Sequence, residues 1–168
     1  MKVTLRPFLL FAATLMAALP GFAQSPAVTS NLTAQRVEIA NGKAVLSPAE
    51  KAKPGDMVEY SGTYRNAGTG SVDKLVATIP VPAGTTFVAG SAEPAKAQAS
   101  TDGTRFAPMP LMRTVRLPDG TSRQEPVPLA DYRYVRWEVG TLAAHADTVV
   151  KLRVQIDAAG GAVAASKP

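Results

Sequence analysis

Tyr132-Arg133-Tyr134-Val135-Arg136-Trp137-Glu138-Val139 and Thr148-Val149-Val150-Lys151-Leu152-Arg153-Val154-Gln155-Ile156 decide the fold. In the first, Val135, Trp137 and Val139 alternate with Tyr134, Arg136 and Glu138. In the second, Val150, Leu152, Val154 and Ile156 alternate with Val149, Lys151, Arg153 and Gln155. A strand sends successive side chains to opposite faces, so a period of two puts one apolar face inward and one polar face into water. Antiparallel sheets allow that division.

Upstream segments repeat the pattern. Residues 56–65 place Val58, Tyr60 and Tyr64 on one face and Glu59, Ser61, Thr63 and Arg65 on the other. Gly62 falls on the inner face, where it adds no side chain and permits a close backbone contact. Residues 32–39 and 43–46 form a hairpin about Asn41-Gly42. Leu75, Ala77, Ile79 and Val81 line a further strand that stops at Pro80-Val81-Pro82, and 85–88 follows the Ala83-Gly84 turn. Residues 91–103 form a polar, Ala-rich loop. Residues 112–117 and 122–127 flank Pro118-Asp119-Gly120, and Asp-Gly tolerates the positive φ that a tight hairpin needs. The 14 prolines and 13 glycines punctuate the chain at short intervals, and no stretch after residue 24 keeps helical spacing for three turns. The expected class is an all-β sandwich.

The first residues obey a different grammar. Lys2 and Arg6 precede an apolar run from Phe8 to Leu19, Pro20 ends it, and Gly21-Phe22-Ala23 offers small residues before Gln24. That is an export signal, 1–23, cut before Gln24. The run is too short to span a hydrocarbon core comfortably, which takes about 20 residues. No transmembrane segment is therefore expected after cleavage. A flexible start, 24–31, a sandwich, 32–157, and a disordered Gly/Ala tail, 158–168, complete the organisation. The length of 168 residues suits one domain. Removing 1–23 lowers the formal charge from +5 by two, to +3, a mild excess that argues against a nucleic-acid partner. The absence of cysteine excludes disulfides and thiolate metal sites.

Chemistry finds little to work with. His145 is the sole histidine and stands in a turn-forming stretch, and no G-x-S-x-G occurs. Triads and most zinc sites need more than that. Asp56, Asp73, Asp102, Asp119 and Asp147 fall at predicted turns or strand starts, where aspartate bonds nearby backbone N–H groups. Calcium between such loops has the right ligand type, but no D-x-D-x-D spacing supports it. The expected chain is not an enzyme and carries no cofactor or metal.

A binding face is the sharper alternative. Arg133, Arg136, Lys151 and Arg153, with Tyr132 and Tyr134, fall on the late strands. If Arg136 and Arg153 shared the wet face of neighbouring strands, they would make a basic, aromatic-flanked strip for polyanions or glycans. The plainer reading is that these charges solvate the surface and protect sheet edges. Trp137 is expected in the core.

Pro54-Gly55-Asp56-Met57-Val58-Glu59-Tyr60 with Tyr64-Arg65-Asn66-Ala67-Gly68, then Pro82-Ala83-Gly84-Thr85-Thr86-Phe87-Val88, then Val135-Arg136-Trp137-Glu138-Val139-Gly140-Thr141-Leu142 and the closing strand 149–156 resemble, in order, the DUF11 conserved-repeat domain. The resemblance covers roughly 32–157. It implies an immunoglobulin-like sandwich of bacterial and archaeal envelope proteins, used as a spacer or adhesion module, with no established catalytic residues. Ile79 stands where that family commonly has Asp, and Ala144-His145 where it often has Pro-Gly. The expectation is a periplasmic or secreted structural or protein-interaction module whose partner is another envelope protein, with strand-edge pairing as one route to it. The sequence does not identify the open edge.

Overall fold

The computed structural model describes residues 28–158. The expected export segment, 24–27 of the expected flexible start and 159–168 of the expected tail lie outside the described residues. Eleven strands occur in order: β1 (Val28–Ala40), β2 (Lys43–Pro48), β3 (Met57–Asn66), β4 (Val72–Pro80), β5 (Thr85–Phe87), β6 (Gln98–Ser100), β7 (Ala107–Pro108), β8 (Met112–Arg116), β9 (Ser122–Pro126), β10 (Tyr134–Leu142) and β11 (Asp147–Ile156). Two short 3-10 turns, Ala49–Lys51 and Leu129–Asp131, are the helical elements. Among the described residues, no helix is long and apolar enough to cross a membrane.

The fold is an all-β antiparallel sandwich. One sheet has the order β2-β1-β3-β11-β5, the other β4-β10-β6-β7, and β8-β9 forms a separate ribbon. The inner faces meet in one cluster. Val58, Val150, Leu152, Val154 and Phe87 come from the first sheet, and Ala77, Ile79, Ala99, Val135 and Trp137 from the second. Ile79, Val135, Leu152 and Val154 are fully buried, each worth about 1.5–3 kcal/mol in removing apolar surface from water. The period-two faces of β10 and β11 thus point at each other from opposite layers. Gly62 provides the expected close approach: a β-carbon there would lie 3.5 Å from both Ile79 and Val150, and 3.3 Å from the Tyr64 ring.

Two boundaries and one burial differ from the sequence expectation. Residues 28–31, expected in a flexible start, belong to β1, which pairs with β3 from Val28↔Asn66 to Val37↔Met57. Its first residues are polar or exposed on both faces, so no apolar alternation marks them. The 91–103 loop contains β6, which pairs with β10 and buries Ala99 and Ser100 completely. Three residues with small or polar side chains give no periodic signal. Finally, Glu59, placed on the wet face, is only 7% exposed.

Asn66 joins both ends of one rim. Its Nδ2 donates to the Gly70, Leu142 and Ala143 carbonyls at 2.8, 3.1 and 3.0 Å, and its Oδ1 accepts from the Gly68 N–H at 3.0 Å. The β3–β4 and β10–β11 turns, which belong to different sheet crossings, are thereby held together. Asn66→Asp replaces the donor by an acceptor facing three carbonyls. It is expected to lower stability by about 1–3 kcal/mol or more, read as a lower midpoint in urea unfolding.

Candidate functional site

The candidate basic strip does not form. β10 pairs with β4 and β6, whereas β11 pairs with β3 and β5. The outward side chains of β10 and β11 therefore leave opposite sides of the sandwich. Arg136 lies on one side, Lys151 and Arg153 on the other.

Each group is also engaged locally. On the first sheet, Arg153 donates from Nε to Glu59 Oε2 at 2.9 Å, and Lys151 Nζ lies 3.6 Å from Glu59 Oε1. The register explains this, since Arg153 is directly opposite Glu59 and Lys151 opposite Ser61. On the second sheet, Arg136 donates from Nε to Gln98 at 2.8 Å and stacks on Phe106, 4.1 Å from the ring centroid. Arg133 donates from Nη1 to the carbonyls of Ala130 and Tyr132. The side chains that suggested a polyanion site are mostly spent on the protein's own acceptors and rings.

Tyr132 is not on a wet face at all. It is completely buried, its ring stacks on Phe87 at 5.6 Å, and its hydroxyl accepts the Leu111 N–H at 2.8 Å. β10 begins two residues later than expected, at Tyr134, so Tyr132 belongs to the turn entering it. Tyr134 stays exposed beside Gly103. Trp137 is core, and its Nε1 donates to the Pro94 carbonyl at 2.7 Å.

Asp102 and Asp119 serve their own turns. Asp102 accepts the N–H groups of Thr104 and Arg105 at 2.8 and 2.9 Å, and Asp119 accepts both the N–H and the hydroxyl of Thr121. Asp56 accepts from Lys53 N–H and from Arg36, and Asp73 accepts from the Thr141 hydroxyl. Among the described residues, no three His, Cys, Asp or Glu side chains gather around one point. His145 is exposed, with φ of 59°.

Two other features qualify as sites. The first is a cleft of about 410 Å³ between β5 and the segment before β8, floored by Phe87, Ala92 and Tyr132 and rimmed by Met109, Pro110 and Leu129. Its size suits a small molecule. No charged side chain lines it, and the Tyr132 hydroxyl already serves Leu111, so it offers shape without chemistry.

The second is a sheet edge, which no sequence pattern revealed. β1 pairs with β2 only from Gln35 to Ala40. Among the described residues, nothing pairs with the outer edge of residues 28–34. Several other edges carry recognisable protective devices. β11 is covered by β5 and then by Glu93, which exchanges both backbone bonds with Lys151. On β4, the Tyr64 hydroxyl crosses from the other sheet to accept the Thr78 N–H at 3.0 Å and donate to the Thr78 carbonyl at 3.1 Å. β4 also carries an irregularity in its pairing near Lys74, whose φ is 55°. β2 is short and ends in Pro48, and β7 has only two residues, ending in Pro108.

Compared with protein-family models, curated proteins and solved structures, the chain matches none.

Two predictions follow the geometry. Tyr132→Phe removes the acceptor for a buried N–H and is expected to cost about 1–3 kcal/mol in chemical unfolding, while Tyr134→Phe leaves the midpoint unchanged. Acid sensitivity should trace to hydrogen-bonded carboxylates in the turns and in the β8–β9 ribbon. The Arg105 and Thr104 N–H groups hold Asp102 far below its ordinary 3.8, and the Arg113 guanidinium lowers Glu125. A depressed carboxylate stabilises the fold above its unfolded value and loses that contribution as pH falls. Melting temperature is therefore expected to stay level down to about pH 4 and then decline, less steeply in Asp102→Asn.

Proposed function

We propose that the chain is an exported, non-catalytic module of the bacterial cell envelope, a structural or protein-interaction piece working in the periplasm or outside the cell. The observation that carries this reading is the open edge of β1, whose residues 28–34 have no outer pairing partner among the described residues. A free strand edge is a surface for another chain, because its unpaired N–H and C=O groups accept a further strand. Every buried side-chain N or O among the described residues has a partner.

The resemblance to the DUF11 domain supports the same reading. His145 stands at the glycine of that family's Pro-Gly and takes φ of 59°, a conformation that suits glycine. Gly140, in the Gly-Thr-Leu run, has φ of 81° at a break in the β10–β4 register. Ile79, where the family commonly has Asp, is fully buried between the sheets.

The alternative, a polyanion- or glycan-binding sandwich using the late-strand Arg and Tyr residues, is weaker. Its basic groups divide between two opposite faces and Tyr132 is inaccessible.

Fractionation of the native cell tests the module reading. The protein is expected in the periplasm or the medium with Gln24 at its amino terminus, and inert on a broad panel of hydrolase substrates. Cytoplasmic protein retaining Met1, or turnover abolished by His145→Ala, overturns it.

A further inference from the structure

The open edge has a definite register. Asn41 and Gly42 are the two turn residues of the β1–β2 hairpin, with φ of 53° and 72°. Ala40 and Lys43, which flank them, therefore form the first hydrogen-bonded pair. Alternation along β1 then directs the N–H and C=O of Arg36, Glu38 and Ala40 toward β2, and those of the odd residues toward β3. By the same alternation, the amides of Val28, Ser30, Leu32 and Ala34 point to the side where β2 is missing. Bonds elsewhere fit this phase: Asn66, opposite Val28, donates its N–H to Ala146, away from β1.

The slot beside 28–34 is bounded, because Pro48 of β2 already stands opposite Gln35. The β1–β3 pairing runs out at Val28↔Asn66, so among the described residues an incoming strand can pair with about seven. The edge also lacks the protective devices found elsewhere. Val28-Thr29-Ser30-Asn31-Leu32-Thr33-Ala34 contains no charge and no proline. Leu32, opposite Gly62 on the inner side, is left 47% exposed.

We infer that the occupant of this slot is a second copy of the same chain, paired antiparallel through residues 28–34 about a two-fold axis at Asn31. Two observations select a second copy over a strand from another protein. With Asn31 on the axis, Val28 faces Ala34 of the second copy and Ser30 faces Leu32, so all four outward-pointing residues of each copy form bonded pairs. The absence of charge means that identical edges meet without repulsion. A two-fold pairing uses the same edge on both copies, so it ends at two copies instead of growing into a filament. This inference rests on the module reading and names the partner at its open edge.

The test uses the intact purified chain. Light scattering over a dilution series is expected to give twice the mass of one chain. Ser30→Pro removes an outward N–H without touching the β3 ladder, and Leu32→Lys brings like charges together across the axis. Both are expected to give the single-chain mass while keeping the wild-type melting temperature within a few degrees. The chain has no cysteine, which makes a second measurement clean. Asn31→Cys meets its own copy at a non-bonded pair, about 4.5 Å between α-carbons, inside the disulfide range of roughly 4.4–6.8 Å. It is expected to oxidise to a linked dimer many-fold faster than Lys43→Cys.

A single-chain mass at every concentration, with Asn31→Cys no faster than Lys43→Cys, overturns the inference. So does a dimer that Ser30→Pro leaves intact. A monomer that loses its envelope association in Ser30→Pro overturns the second copy as occupant but leaves the module reading standing. A cytoplasmic or catalytic protein that still dimerises through Asn31→Cys sinks the module reading alone.

Discussion

The contact between the inner faces of β10 and β11 is the constraint on which the rest of the structure depends. These strands are consecutive in sequence and joined by a short turn, yet they belong to different sheets. Val135 and Trp137 therefore face Val150, Leu152 and Val154 across the core instead of lying beside them in one layer. Water is excluded from both apolar faces only when the two layers close on each other. Closure in turn fixes which way every outward side chain must point. Had β10 paired with β11, Arg136 and Arg153 would share a surface, and the molecule would present a basic strip.

A sandwich of open sheets must manage its edges, and this one does so with side chains from across the fold. Tyr64 is the clearest case. It stands on β3, beside the side-chain-free space at Gly62, and its hydroxyl both donates to and accepts from the backbone of Thr78 on the edge of the opposite sheet. One hydroxyl thus takes the place of a neighbouring strand at that residue. The segment after β5 does the same for β11 with its own backbone. Against this, the first seven residues of β1 are conspicuous because β2 stops short of them.

The charges show how a surface can be basic in composition and still lack a basic site. Glu59 is drawn under Arg153 and Lys151, Glu125 between Arg113 and Arg123, and Arg136 onto Phe106 and Gln98. Cross-strand pairs of this kind stabilise a sheet modestly, and they also remove the cations from service to a ligand. The excess of positive charge that remains is spread over both sides of the sandwich.

By itself, the sequence determined everything that period-two alternation and turn chemistry can encode. The closing strands, the Asn41-Gly42 hairpin, the core position of Trp137 and the empty space at Gly62 were legible because each is set by neighbours close in the chain. Segments without alternation were not legible. β6 is three small or polar residues, and the first turn of β1 is exposed on both faces, so burial leaves no mark there. Tyr132 and Glu59 became buried through partners far away in sequence: Leu111 and Phe87 for one, Arg153 and Lys151 for the other. Only the tertiary structure decided which strands share a sheet, and hence which arginines share a face and which edge stays open. Strand order depends on pairing between distant segments, and one strand's side-chain pattern is the same whichever neighbour it takes.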